Sequence, residues 1–299
     1  MSDPRGHRFR AMGTSVSLIA AGNADAGSSH RAAGVVEHLF SREELRFSRF
    51  RGDSELSRVN ARAGTWTRVS PGFAALVAYA LEAAAGSDGL FDPTVLPALI
   101  AAGYDRDFDE LIAGARDALH PSEPCGRWPE IELEGNLLRL PPGVGLDLGG
   151  IAKGWTVDLA AQAAVDQGLD WAIVNAGGDL RIAGTPPAEA FPIGIDDPEV
   201  PEQELTRIRV ASGALATSSI TARAWGPGRH HLIDPRTGLP ADTEVVQATV
   251  WAETCAEAEI GSKQALLTGV PILDRLTGVL VTRDGRIVMN IPSEEEARA

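Results

Sequence analysis

The sequence predicts an α+β fold, and three observations carry that expectation. Strand-like and helix-like segments are mixed along the chain without a regular strand–helix–strand repeat. Two segments carry clear helix punctuation: Pro71 opens a stretch that ends at Gly86, and a helical run over 253–268 stops at Gly269. Much of the remainder reads as short β segments divided by turns, in keeping with 32 glycines among 299 residues.

Taken in order, residues 9–19 (FRAMGTSVSLI) read as a turn leading into a strand. Over 31–47, Val35, Val36, Leu39 and Phe40 recur at helical spacing. Asp53 or Ser54 then caps a short helix through Val59. After the helix at 71–86, residues 104–130 are charged and rich in Pro and Gly, an exposed connection with one short helix at 107–118. Strands are expected at 131–140, 144–148 and 171–174, with further β-rich sequence at 191–195, 205–211 and 245–251 and a closing pair over 277–290.

Composition excludes several functions. A formal net charge of -14 argues against nucleic acid, whose phosphates demand clustered Lys and Arg, and against docking to anionic lipid. The two cysteines, Cys125 and Cys255, lack metal-ligand spacing and read as inert thiols. The N-terminal stretch shows no apolar h-region. The most apolar window, GFAALVAYALEAAAG, is too short for a membrane span and contains Glu82. The expectation is a soluble, cytoplasmic protein.

The most informative stretch is GVGLDLGGIAKGWTVDLAAQAAVDQG, beginning at Gly143. Val144, Leu146 and Leu148 alternate as a strand, Gly149 and Gly150 break it, and a helical pattern runs from Ile151 to Gln167. A strand, a glycine turn and a helix start direct backbone N–H groups toward one point, and Lys153 adds a positive charge, which suits a diphosphate. The spacing is neither that of a Walker A loop nor that of a dinucleotide fingerprint. A tight turn with a surface lysine remains the alternative. Asp147 either binds a ligand hydroxyl or ring nitrogen, or caps the helix.

Five blocks in order resemble the ApbE-type FAD:protein FMN transferases: AMGTSVSL, FSRFRGDSELSRVN, GLFDPTVLPAL, LDLGGIAKGWTVD with VNAGGDLRIAG, and HHLIDPRTGLP. They span residues 9–269. The resemblance implies one α+β domain over 1–299, with FAD in a cleft between two lobes. It also implies a reaction in which a Thr or Ser hydroxyl of an acceptor flavoprotein attacks the FMN-side phosphorus and AMP leaves. By the same resemblance Met12, Gly13 and Thr14 lie by the flavin nucleotide, with Ser48, Asp92 and Thr94 near the ligand. Asp147, Gly149, Gly150, Ala152, Lys153 and Asp158 surround the diphosphate and adenosine end. Asn175, Gly177, Gly178 and Asp179 form another loop against it. His231, Asp234, Arg236, Thr237 and Gly238 close the reactive side. His231 either takes the hydroxyl's proton or orients a phosphate oxygen. Each of these turns also has a plain structural reading, DPRTG above all, and one of His230 and His231 is expected to be structural or solvent-facing.

Two departures stand out. The family pattern A-D-x-x-x-T on the last long helix implies a Mg²⁺ site formed by those side chains and a carbonyl of Gly150 or Ala152. Here the aligned residues are Glu259 and Lys263, and a charged lysine offers no lone pair to a cation. Either the two form an exposed i,i+4 ion pair, or Lys263 takes the metal's place against the diphosphate, leaving a metal-independent site with Glu259 and Lys263 as catalytic groups. In the second departure, ATSSITARAW places Ser219 where the family has glycine, and no tyrosine follows. Trp155 or Trp225 then either stacks on the flavin or belongs to the core. The leading expectation is a flavin transferase. The alternatives are a non-catalytic FAD-binding protein and an FAD pyrophosphatase giving FMN and AMP.

Overall fold

A computed structural model describes residues 5–21, 26–111, 125–187, 189–200 and 203–291. The chain forms two compact units. The first comprises Met1–Arg42, Lys153–Thr221 and Glu244–Ala299; the second comprises Glu43–Ala152 and Ala222–Thr243. The described helices are α1 (Ala26–Phe47), α2 (Glu55–Asn60), α3 (Pro71–Gly86), α4 (Leu96–Ala101), α5 (Phe108–Leu111), α6 (Ala152–Val165) and α7 (Cys255–Thr268).

The first unit is organised by an eight-stranded antiparallel sheet. Its spatial order is Arg5–Ala11, Thr14–Ala21, Trp171–Ala176, Asp179–Gly184, Gly213–Ser219, Val245–Ala252, Thr277–Thr282 and Ile287–Met289. Strand side chains alternate between faces, and both faces here are covered. Val16, Leu18, Val174 and Ala176 pack on one side against Val36 and Phe40 of α1 and Val157, Ala161 and Ala164 of α6. Trp171, Ile173, Leu180 and Ile182 pack on the other against Ile195, Ile208 and Val210. The latter belong to a hairpin pairing Phe191–Asp196 with Glu204–Val210. Covering on both faces explains why Trp171–Ala176 is apolar nearly throughout, whereas Thr14–Ala21, nearer the sheet's edge, alternates.

In the second unit, α3 begins and ends where its proline and glycine punctuation places it, with Ser70 accepting from the Phe73 N–H as N-cap. Ser54 likewise caps α2. A small sheet joins Thr67–Arg68, Leu137–Arg139 and Glu132–Glu134, so the expected strand at 131–140 is a hairpin of two short strands. Of the helix expected at 107–118, the stretch Phe108–Leu111 is helical and residues 112–118 lie outside the described residues.

One expectation is extended and one corrected. Residues 9–19 hold a turn at Met12–Gly13 leading into the strand Thr14–Ala21, and a preceding strand, Arg5–Ala11, pairs with it as a hairpin. Residues 144–148 form no strand. Their hydrophobic side chains are buried, but their backbone is paired otherwise. The Asn60 side chain receives the Leu146 N–H and donates to the Leu146 carbonyl, both at 2.8 Å, while the Asp147 N–H goes to the Pro93 carbonyl. One carboxamide supplies Leu146 with the donor and acceptor that a neighbouring strand would give.

Candidate functional site

In the first unit, two tight turns and two helices bring residues distant in sequence to one end of the large sheet. Ala11 pairs with Thr14 and Ala176 with Asp179, so each of these hairpins closes through two residues. Both loop residues have positive φ in each: Met12 (50°) and Gly13 (69°), Gly177 (61°) and Gly178 (96°). That is the geometry such short loops require. Glycine adopts it freely, whereas Met12 pays about 1 kcal/mol. Val16 lies opposite Ala176, which sets the two turns side by side, and a Cβ on Gly177 would collide with the Thr14 side chain. Asn175 Oδ1 accepts the Gly178 N–H at 3.1 Å.

Lys153, in the first turn of α6, reaches this end. Its Nζ pairs with the Asp179 carboxylate and donates to the Ala176 carbonyl at 3.2 Å. Burial opposes the charge on Lys153, but Asp179 and Glu259 outweigh it and hold the ammonium's pKa above its ordinary value. Burial pushes Asp179 up to about 6 against the pull of Lys153. An ammonium has three donors, and two are spent here.

Glu259 of α7 completes the cluster. Its Oε2 accepts the Gly154 N–H at 2.8 Å, and its Oε1 lies 3.5 Å from Lys263 Nζ. Lys263 also donates to the Glu259 carbonyl at 3.1 Å. Glu259 and Lys263 side chains are only 4% and 17% exposed, so this is not a solvated surface pair. The close approach of α6 to α7 depends on Gly154, whose missing Cβ would stand 2.6 Å from the Cys255 carbonyl oxygen. Asp158, one turn further along α6, gives both carboxylate oxygens to the Cys255 and Ala256 N–H groups at 2.8 and 3.0 Å. Its role in the structure is therefore to close the start of α7.

In the second unit the expected residues form three turns, each held by its own side chains. Asp92 Oδ1 accepts from the Thr94 N–H and Oγ1, and its Oδ2 from the Gly126 N–H. The Asp234 carboxylate accepts the Arg236 N–H and pairs with its guanidinium, while its carbonyl receives the Thr237 and Gly238 N–H groups. Ser48 Oγ accepts the Phe50 N–H at the end of α1. His230 is buried, its Nε2 3.0 Å from the Ala241 carbonyl and its Nδ1 accepting the Leu232 N–H, which makes it the structural member of the pair. His231 is half-buried beside it. Trp225 stacks on Tyr104, with centroids 5.3 Å apart, inside an apolar cluster with α4.

The glycine turn differs from its reading as a cradle of free N–H groups. Gly149's N–H goes to Asp147 Oδ1. Those of Ile151 and Ala152 go to the Leu148 carbonyl, and Gly154's goes to Glu259. These four donors are taken within the turn or by α7, and Lys153 adds a charge beside them. Asp147 is likewise occupied by a residue the sequence did not single out. Arg49 Nε lies 2.7 Å from Asp147 Oδ2, and the guanidinium sits over the Phe50 and Tyr104 rings at 4.1 and 4.3 Å. Arg49 was visible only as one arginine among several in SRFR, and nothing local pairs it with a carboxylate 98 positions away.

The side chains do not fit a divalent cation. Glu259 Oε2 holds the Gly154 N–H, its Oε1 faces Lys263, and Lys263 offers a charge of the wrong sign. No helix among the described residues is long and apolar enough to cross a membrane.

An α+β protein with a buried cluster of paired ammonium and carboxylate groups beside two glycine-bearing turns is the class that fold and site define. Residues 12–277 match the family model described as the ApbE family. The FAD:protein FMN transferase of Vibrio cholerae is 28% identical over 259 residues, spanning 84% of this chain and 76% of that protein. The FAD:protein FMN transferase of Treponema pallidum is 30% identical over 257 residues, spanning 78% and 70%. The crystal structure of the ApbE protein from Thermotoga maritima is similar at a TM-score of 0.82 and 26% identity, covering 96% of this chain and 97% of that one. This chain belongs to the ApbE family.

Proposed function

We propose that this chain binds FAD and transfers its FMN half to a Thr or Ser hydroxyl of an acceptor protein, releasing AMP. Family membership supports the activity. The observation in the chain that carries it is Lys153, a mostly buried ammonium beside the turns at Met12–Gly13 and Gly177–Gly178 with one donor unspent. A diphosphate oxygen is the kind of acceptor that such a donor suits, because charge-assisted hydrogen bonds are stronger than neutral ones.

In the reaction, the acceptor's hydroxyl oxygen attacks the FMN-side phosphorus. The bond from that phosphorus to the bridging oxygen breaks, and the electron pair leaves with AMP. Positioning and charge neutralisation do most of the work in such transfers, and Lys153 supplies the latter. The resemblance gives His231 either the hydroxyl's proton or a phosphate oxygen to orient. The Mg²⁺ that the resemblance implies does not fit Glu259 and Lys263, and no step passes through it.

Incubation with FAD and a Thr- or Ser-bearing acceptor peptide, read by mass spectrometry, tests the reading. A peptide heavier by FMN with stoichiometric AMP supports it. Free FMN with AMP shows hydrolysis instead, and intact FAD shows binding alone. His231→Gln should lower turnover while leaving FAD affinity unchanged; a fall in affinity alone would move His231 to phosphate orientation.

A further inference from the structure

The charged side chains at the turn end of the large sheet balance one another. Asp179 faces Lys153, and Glu259 faces Lys263. Two carboxylates and two ammonium groups sum to zero, and three of the four side chains are less than one-fifth exposed with the fourth nearly inaccessible. Lys263 Nζ already stands beside Glu259 Oε1, and a divalent ion placed there would meet a like charge. Such an ion would also have to displace Lys263 Nζ from its 3.5 Å approach to Glu259 Oε1 and from the Glu259 carbonyl it donates to. The other carboxylate oxygen holds the Gly154 N–H, and with it the contact between α6 and α7. Lys263, like Lys153, spends two of its three donor directions on the protein.

We infer that Lys263 is a resident cation, covalently part of the chain, that does for a dinucleotide's diphosphate what a bound divalent ion would otherwise do. The inference rests on the FAD-binding reading above and deepens it: Lys153 and Lys263 together present two ammonium charges, and binding requires no metal. A tethered ammonium is always present, so occupancy does not follow the concentration of free divalent ions. Both ammonium groups are less than one-fifth exposed, so added salt weakens binding only slightly.

The test is calorimetric titration of FAD into the full chain, in excess EDTA and in excess MgCl₂. The expected result is one dissociation constant common to both buffers. Lys263→Met, which keeps the stem and removes the charge, weakens binding about tenfold in both buffers. Lys263→Thr weakens it in EDTA and regains affinity with MgCl₂, since a hydroxyl beside Glu259 restores oxygen donors. Lys263→Arg, which keeps the charge, stays metal-independent, and thermal melts of each variant identify any that fail to fold. FAD taken up by the parent only when MgCl₂ is present overturns the inference while leaving the FAD reading intact. Unchanged affinity in a folded Lys263→Met also overturns it. No uptake in either buffer sinks the FAD reading and the inference with it.

Discussion

Helices α6 and α7 exchange carboxylates, yet their first turns are finished differently. At the start of α7 each of the first donors is consumed. Thr254 and Glu257 form a reciprocal capping box, and Asp158 takes the Cys255 and Ala256 N–H groups. In the first turn of α6, Glu259 takes the Gly154 N–H, but the Lys153 ammonium keeps one donor unspent. A helix start whose donors all serve the fold is architecture. One that retains charge and a donor can act on a ligand. The two starts lie against each other, and the finished one holds the other in place.

The largest expected effect comes from prising the two helices apart. Gly154→Ala gains helix propensity but drives a methyl group to 2.6 Å from the Cys255 carbonyl oxygen. Overpacking should win, with a net loss of about 2 kcal/mol in urea unfolding. An unchanged midpoint would show that the helices separate freely and that the reciprocal contact is loose. Next in size is the closed start of α7. Asp158→Ala strips two donors at once and should cost about 1–2 kcal/mol, with Asp158→Asn recovering roughly half. Equal stability of the parent and the alanine variant would mean that the capping box alone finishes the helix.

The open start carries a pH signature. Asp179's ordinary value is 3.8, and burial raises it to about 6. Between those values the native protein holds a proton that the unfolded chain has released. Stability therefore falls as pH rises from 3.8 to about 6 and gains no further penalty above. Urea midpoints across that range should show the decline in the parent and lose it in Asp179→Asn; the same slope in both would assign it elsewhere.

The smallest effect concerns Cys255, the first residue of α7. A thiol at a helix start is usually acidified, but burial pushes this one well above 9.0, reinforced by Asp179 and Asp158. Burial likewise pushes Cys125 up to about 12. Neither thiol should react with iodoacetamide in native protein at mildly alkaline pH, and both should react in urea. Alkylation of Cys255 without denaturant would show that the closed helix start opens readily.

Local chemistry made α3, α7 and the cap at Ser54 legible, because proline, glycine and hydroxyl caps act within a few residues of their own position. The failures came where a distant group took over a local role. Val144, Leu146 and Leu148 alternate as a strand should, yet Asn60, 86 positions from Leu146, supplies the pairing that makes a neighbouring strand unnecessary. Asp158, which the resemblance sets near the diphosphate and adenosine end, holds a helix start 97 positions away, a contact that no local pattern shows.

By itself the sequence determined that this chain is α+β, acidic, and built around a glycine turn followed by Lys153, because residue type and short-range spacing suffice for those properties. It also placed Glu259 and Lys263 on one turn of one helix, since a spacing of four fixes that geometry. Tertiary structure alone decided which charges meet. Lys153 with Asp179, Glu259 with the Gly154 N–H and Arg49 with Asp147 are contacts between segments whose separation in sequence carries no period, and only the packing of sheet and helices makes them neighbours.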